Sequence, residues 1–117
     1  MPPKDDLVYA GHMLSTARKA RAAIRGKDRA AYDADEILRL ALTHLLQVIG
    51  EAARHTSPGF RAAHPELPWG AITGMRHKVV HDYLDVDEDV VWETVTHDVP
   101  ELIALLEKLV PNDTPPQ

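Results

Sequence analysis

The densest group of ionisable residues in an otherwise apolar stretch is Arg76-His77-Lys78-Val79-Val80-His81-Asp82-Tyr83. Arginine and histidine together are what metal-free RNA cleavage needs. RNA carries its own nucleophile, the 2′-hydroxyl beside the scissile phosphate. A histidine titrating near neutrality can take up or deliver a proton. An arginine, always charged and forked, can hold the phosphate and the charge that develops on it. Such a reaction leaves a 2′,3′-cyclic phosphate and a 5′-hydroxyl. The plainer reading is a solvated helix end carrying a few histidines. Trp69, Ile72 and Met75 just upstream favour the chemical one, because the helix that buries them also presents the charged group.

The spacing sets a geometric problem. Five residues at ~100° each place Arg76 and His81 about 140° apart on an ideal helix, so one straight helix cannot aim both at one phosphate. Either the helix bends or ends inside the motif, or a second subunit completes the site. His77 and His81, four apart, do share a helix face. Two copies related by a two-fold axis would line one cleft with two Arg–His sets, and a homodimer with a composite site is expected. His77-x3-His81 also matches the spacing of two zinc ligands, with Asp82 or Asp85 as a third. The zincin pattern, however, requires glutamate directly after the first histidine; Lys78 stands there, and its charge disfavours a cation. No metal is expected.

The elements that position this group read as helices. Asp5 and Asp6 suit the start of a first helix, whose apolar positions Leu7, Ala10, Leu14, Ala17 and Ile24 step by three and four until Gly26 stops it. A second helix, from about Asp33 to His55, carries a wide apolar arc suited to the centre of a bundle. Ser57 before Pro58 can start a short helical turn around Phe60. Pro68 suits the first turn of the helix that holds the motif, and Gly70 and Gly74 suggest a close approach or a bend. Asp85-Val86-Asp87-Glu88 reads as the cap and first turn of a fourth helix through His97, which Pro100 kinks or restarts into a segment ending near Val110. No stretch alternates as a strand. The expectation is an all-α bundle of four to five helices spanning 1–110 as a single domain, followed by a disordered tail at 111–117.

Composition is compatible with this. With 44% hydrophobic residues in 117 the chain can build a core unaided, and the lack of cysteine excludes disulfides and thiolate metal sites. The N-terminal residues lack the apolar stretch of a signal peptide, and no apolar run is long enough to span a bilayer. A cytoplasmic protein without membrane contact is expected. The net charge of −5 argues against a nucleic-acid partner taken alone. Its distribution does not: residues 1–84 hold 12 Lys+Arg against 9 Asp+Glu, whereas Asp85 onward holds only Lys108 against 9 acids. The acidity is concentrated in the last third, leaving room for a basic groove elsewhere.

The motif also resembles that of a known family. Arg76-x4-His81-x-Tyr83 is similar to the R-x4-H-x-Y signature of HepT toxins, within the wider R-x4–6-H pattern of HEPN ribonucleases, and His77 matches the polar residue that follows the arginine there. Ile49-Gly50-Glu51-Ala52 resembles the family's GEA segment. His64-Pro65-Glu66-Leu67-Pro68-Trp69 resembles the Pro-Trp lead into the motif helix, Ile72-x-Gly74-Met75-Arg76 the run into the arginine, and Val90-Val91-Trp92-Glu93 the segment beyond it. Together these cover most of Ile37 to Leu106. The resemblance implies a HEPN-like bundle acting as the toxin of a toxin–antitoxin pair, with Arg76 and His81 as catalytic pair and His77 as polar accessory. It further implies that a cognate minimal nucleotidyltransferase antitoxin transfers AMP from ATP to Tyr83, ATP being used by that partner and no cofactor by this chain. Bulky negative groups two residues from His81 would repel RNA. As a plainer alternative, Tyr83 is a half-buried aromatic closing the bundle.

Other positions have two readings. Glu51 either orients a motif arginine or histidine or belongs, with His44 and His55, to a solvated polar edge. Lys78 and Arg21 are candidates to contact RNA backbone, Arg21 from a stripe with Arg18 and Arg25; equally, the Arg21 stem covers apolar surface while its head reaches water. His12, His64 and His97 read as surface or capping residues. The leading expectation is a dimeric endoribonuclease. The alternative is a non-catalytic HEPN-like dimer that serves as binding partner and substrate of a nucleotidyltransferase, and a helical scaffold without any nucleotide connection is the third possibility.

Overall fold

The structure, a computed structural model, describes residues 4–82 and 85–111, with backbone only for Lys4, His81 and Asp82. The expected modification site Tyr83, and the expected tail from residue 112 on, lie outside the described residues. The fold is an all-α bundle. Helix α1 (Lys4–Ala23) packs along α3 (Glu36–Arg54) and α8 (Val99–Leu109). Ala10, Met13, Leu14, Ala17 and Ala20 of α1 meet Leu42, Leu46 and Ile49 of α3 and Leu102, Ile103 and Leu106 of α8 in one buried core. The small residues of α1 let its neighbours approach closely, which a row of leucines would prevent. No helix among the described residues is long and apolar enough to cross a membrane.

Aspartates and a serine start the helices where the sequence provides them. Asp35 caps α3 by accepting from the Leu38 N–H at 3.0 Å. Ser57 caps α4 (Pro58–Ala63) through the Phe60 N–H at 3.1 Å. Asp87 caps α7 (Glu88–Glu93) through the Val90 N–H at 3.1 Å. Each such contact satisfies an orphan helix donor and contributes ~1 kcal/mol. Asp6 does more than favour the α1 dipole. It is buried and accepts from both the Ser57 N–H (2.7 Å) and the Ser57 hydroxyl (2.8 Å), tying the first turn of α1 to the start of α4.

Two expectations about the elements need correction, and two are met. Asp33 belongs not to the central helix but to a separate short one, α2 (Arg29–Ala34), capped by Asp28. Arg29 there bonds Asp33 and Asp89, each at 2.8 Å, joining α2 to the start of α7. The motif helix bends, one of the two alternatives its glycines suggested: it breaks at Gly74 into α5 (Trp69–Thr73) and α6 (Met75–Val79). The chain then becomes extended. Strand β1 (Val80–Asp82) pairs antiparallel with β2 (Asp85–Val86), Val80 facing Val86, so a strand exists where none was expected. The restart expected at Pro100 is present: a separate helix, α8, begins at Val99 with Pro100 in its first turn and ends at Leu109. A π-helical segment, Thr94–Asp98, joins α7 to α8, all in right-handed helical backbone. Proline has no N–H to give the carbonyl four residues back and its ring crowds that carbonyl; the wider π turn just before it absorbs the mismatch.

The α5–α6 corner rests on α3 at Gly50. A Cβ built on Gly50 would stand 3.0 Å from the Ile72 carbonyl oxygen and 3.7 Å from the Met75 Cβ. Backbone lies against backbone, so nothing there can swing aside. The close approach suggested for Gly70 and Gly74 thus occurs at Gly50, and Gly74 supplies the bend. Gly50→Val is expected to cost ~1–3 kcal/mol by overpacking and to lower the Tm by roughly 5–12 °C. Calorimetry checks this; an unchanged Tm would show that the corner is not clamped.

Candidate active site

An open groove of about 650 Å³ lies between α3, α6 and the start of α7. Glu36, Leu40, Thr43, His44 and Gln47 of α3 form one wall. Arg76, His77 and Val80 form the other, and Val86 and Glu88 close the end. The α3 residues recur at three- and four-residue intervals because a helix brings such positions to one face. The buried Met75 and Val79 hold α6 to the core and turn Arg76, His77 and Lys78 outward. Among the described residues no carboxylate pairs with Arg76, leaving its guanidinium available to an anion.

The far end of the groove is a bonded network. The buried Tyr32 phenol donates to Glu88, and Arg39 approaches the same carboxylate at 3.7 Å. Burial first, and then the bond to Glu88, hold the Tyr32 phenol well above its ordinary pKa, so it remains a protonated donor. Arg39 also donates to the carbonyls of Tyr32 and Asp33 in the last turn of α2. Glu88 is therefore engaged twice, which lessens the repulsion it would exert on a phosphate in the groove.

The residues singled out in the sequence separate as follows. Arg76 and His77 share the groove. His81 belongs to β1, one residue beyond the groove-lining Val80, and its side chain lies outside the described set. Lys78 is exposed on α6 and does not line the groove. Glu51 is exposed and pairs with His55 at 3.4 Å on its own helix, making no hydrogen bond or ion pair with Arg76, His77 or Lys78, while the His55 ring stacks on Tyr9 at 5.2 Å. Arg21 is exposed on α1 and reaches no groove, and its neighbour Arg18 pairs with Glu107 at 2.8 Å. The sequence reading passed over His44 and Arg39. His44 was assigned to a solvated edge, yet it faces Arg76 and His77 across the groove. Its four-residue step from Leu40 marked the face but not what α6 would bring opposite. Among the described residues no three His, Asp or Glu side chains come together as a metal-ligand set.

A helical bundle with an arginine–histidine groove at the break of its motif helix also has relatives in sequence. The family model described as "Ribonuclease HepT-like" matches residues 13–109. A protein of Caldanaerobacter subterraneus subsp. tengcongensis, provisionally named an RNase, is 33% identical over 94 residues, covering 80% of this chain and 84% of that one. The "Probable ribonuclease HepT" of Thermococcus cleftensis is 40% identical over 75 residues, 64% of this chain and 68% of its own. A provisionally named RNase of Methanocaldococcus jannaschii is 29% identical over 110 residues, 94% of this chain and 95% of its own. No solved structure matches. The chain belongs to the HepT-like ribonuclease family.

Proposed function

We propose that this protein is a metal-independent endoribonuclease, the toxin of a toxin–antitoxin pair, acting as a homodimer. Arg76 holds the scissile phosphate. His81 moves the proton of the 2′-hydroxyl or of the leaving 5′-oxygen, and His77 assists from the same groove. What carries the reading is the end of α6 at Val79. Arg76 and His77 line the groove and the chain leaves the helix before His81, so the opposed phases of a straight helix no longer apply. Support for a second copy comes from α3. Ile37 is 72% and Leu40 61% exposed, Leu40 on the groove and Ile37 three residues before it on the same helix, a costly arrangement for large apolar side chains in water. A two-fold axis near this stripe would cover them and bring the two motifs together.

The regulatory half of the proposal is AMP transfer to Tyr83 by a minimal nucleotidyltransferase partner. It rests on the family membership and on the position of Tyr83, two residues after His81. Two measurements test the function. RNA cleavage in the presence of EDTA is expected to yield 2′,3′-cyclic phosphate ends. Mass spectrometry of the protein co-expressed with the nucleotidyltransferase is expected to find AMP units on Tyr83 and the cleavage lost. Cleavage abolished by EDTA would exclude the mechanism. An unmodified Tyr83 would exclude the regulation, and AMP transfer to a protein that never cleaves RNA would leave it only a binding partner and substrate of the transferase.

A further inference from the structure

A second groove, of about 530 Å³, opens on the other side of the α5–α6 corner, between Arg54, Arg61, Trp69, Gly70, Thr73 and Gly74. Its charge differs from that of the first: two arginines line it and no acid does. Arg54, in the last turn of α3, is exposed and has no anionic partner among the described residues. Arg61 is fixed. Through one guanidinium nitrogen, Nη1, it donates to the carbonyls of Ala53 and Thr56 and to the Thr56 hydroxyl (3.1 Å), so it caps the end of α3 while its Nε and Nη2 make no bond among the described residues. Trp69 is equally fixed. Its indole N–H donates to the His64 carbonyl at 2.8 Å and Phe60 packs edge-on at 6.0 Å, leaving the half-buried ring as one side of the groove. Gly70 adds no bulk, and a Cβ there would meet nothing within 4 Å.

The two grooves lie in register. Arg54 is seven residues after Gln47 and fourteen after Leu40, which returns it to within about 40° of both around α3. It therefore continues the helix face that walls the first groove, roughly 15 Å along the axis from His44. Between them stands the corner that carries Arg76. We infer that the second groove binds the single-stranded RNA segment flanking the scissile phosphate, with Arg54 and Arg61 on a backbone phosphate and the Trp69 ring against a base. A strand held by cations that track its backbone and by an aromatic face is the usual physics of single-strand binding. The inference deepens the ribonuclease reading and rests on it.

The test is fluorescence anisotropy with a dinucleotide and an octanucleotide, both 2′-O-methylated so that neither can be cleaved. The proteins are the wild type, Arg54→Ala, Gly70→Glu, Arg76→Ala and the surface control Lys108→Ala. Arg54 is exposed and Gly70 faces open space, so both variants should fold, which their Tm verifies. Arg54→Ala should weaken the octanucleotide about tenfold and reduce the slope of log affinity against log salt by about 0.7, one phosphate's worth for a single strand. Gly70→Glu should weaken it at least as much, the loss growing with oligonucleotide length, and Lys108→Ala should match the wild type. If Arg76→Ala weakens binding while Arg54→Ala and Gly70→Glu leave the octanucleotide untouched, the second groove is not part of the RNA path and the ribonuclease reading stands. Should Arg76→Ala change the affinity for neither probe, the first groove does not bind RNA and both proposals fall.

Discussion

Arg76→Ala is expected to lower the rate of RNA cleavage by about 10²–10³-fold without changing the stability of the protein. The size follows from the role. A preorganised donor aimed at charge that develops in the transition state is worth ~3–4 kcal/mol in a partly dehydrated site. Stability should not follow, because the Arg76 side chain is exposed and the buried Met75 and Val79 anchor its helix; surface changes of this kind stay within about 0.5 kcal/mol. Arg76→Lys should recover only part of the rate, since an ammonium replaces the charge but not the planar fork that grips two phosphate oxygens. Single-turnover cleavage alongside thermal unfolding measures both. A variant that melts normally and cleaves at the wild-type rate would remove Arg76 from the site.

His81→Ala should be at least as damaging, about 10²–10⁴-fold, the range for losing a general acid or base. Its more informative use is in mixture with Arg76→Ala. Suppose the arginine of one subunit works with the histidine of the other. A mixed dimer then has one site with both residues missing and one with both intact. At equal proportions half the dimers are mixed, so exchange of subunits should restore about a quarter of wild-type activity from two inactive proteins. If each site uses one subunit's own pair, every site in a mixed dimer lacks one residue and nothing returns. Activity titrated against mixing ratio, after co-refolding, separates these cases, and His81→Ala alone retaining full activity would sink the proton-transfer role.

How far the sequence foretold this arrangement depends on the range of the interactions involved. Elements fixed by their own residues were legible. The apolar arc of α3, Ser57 ahead of Pro58 and Asp87 ahead of α7 all act within a turn or two of helix, and each stands where it was expected, save that Ile37 and Ala41 at the edge of the arc are exposed. Elements fixed by distant partners were not. Strand β1 has three residues, too few to show alternation, and exists because Val80 meets Val86 and the Asp87 N–H reaches the Val79 carbonyl at 2.9 Å. Helix α2 is too short to display a period. The groove shows the same division. Arg76 and His77 could be named from their types and spacing, whereas His44 and Arg39 acquire meaning only when α6 and α7 are laid against α3. For Glu51 the sequence left two readings open, and the side chain faces outward beside His55, as the solvated-edge reading has it.

The joint at Gly50 has a consequence for how such a nuclease can change over time. Besides the buried Met75 and Val79, the α5–α6 corner is located by a backbone approach at Gly50 that leaves no room for a side chain. The rim of the groove, by contrast, includes Glu36 and Thr43, side chains outside the buried core whose replacement disturbs little packing. Under the proposed ribonuclease function, drift along that rim would change what the groove accepts, while the placement of Arg76 passes unaltered from one descendant to the next.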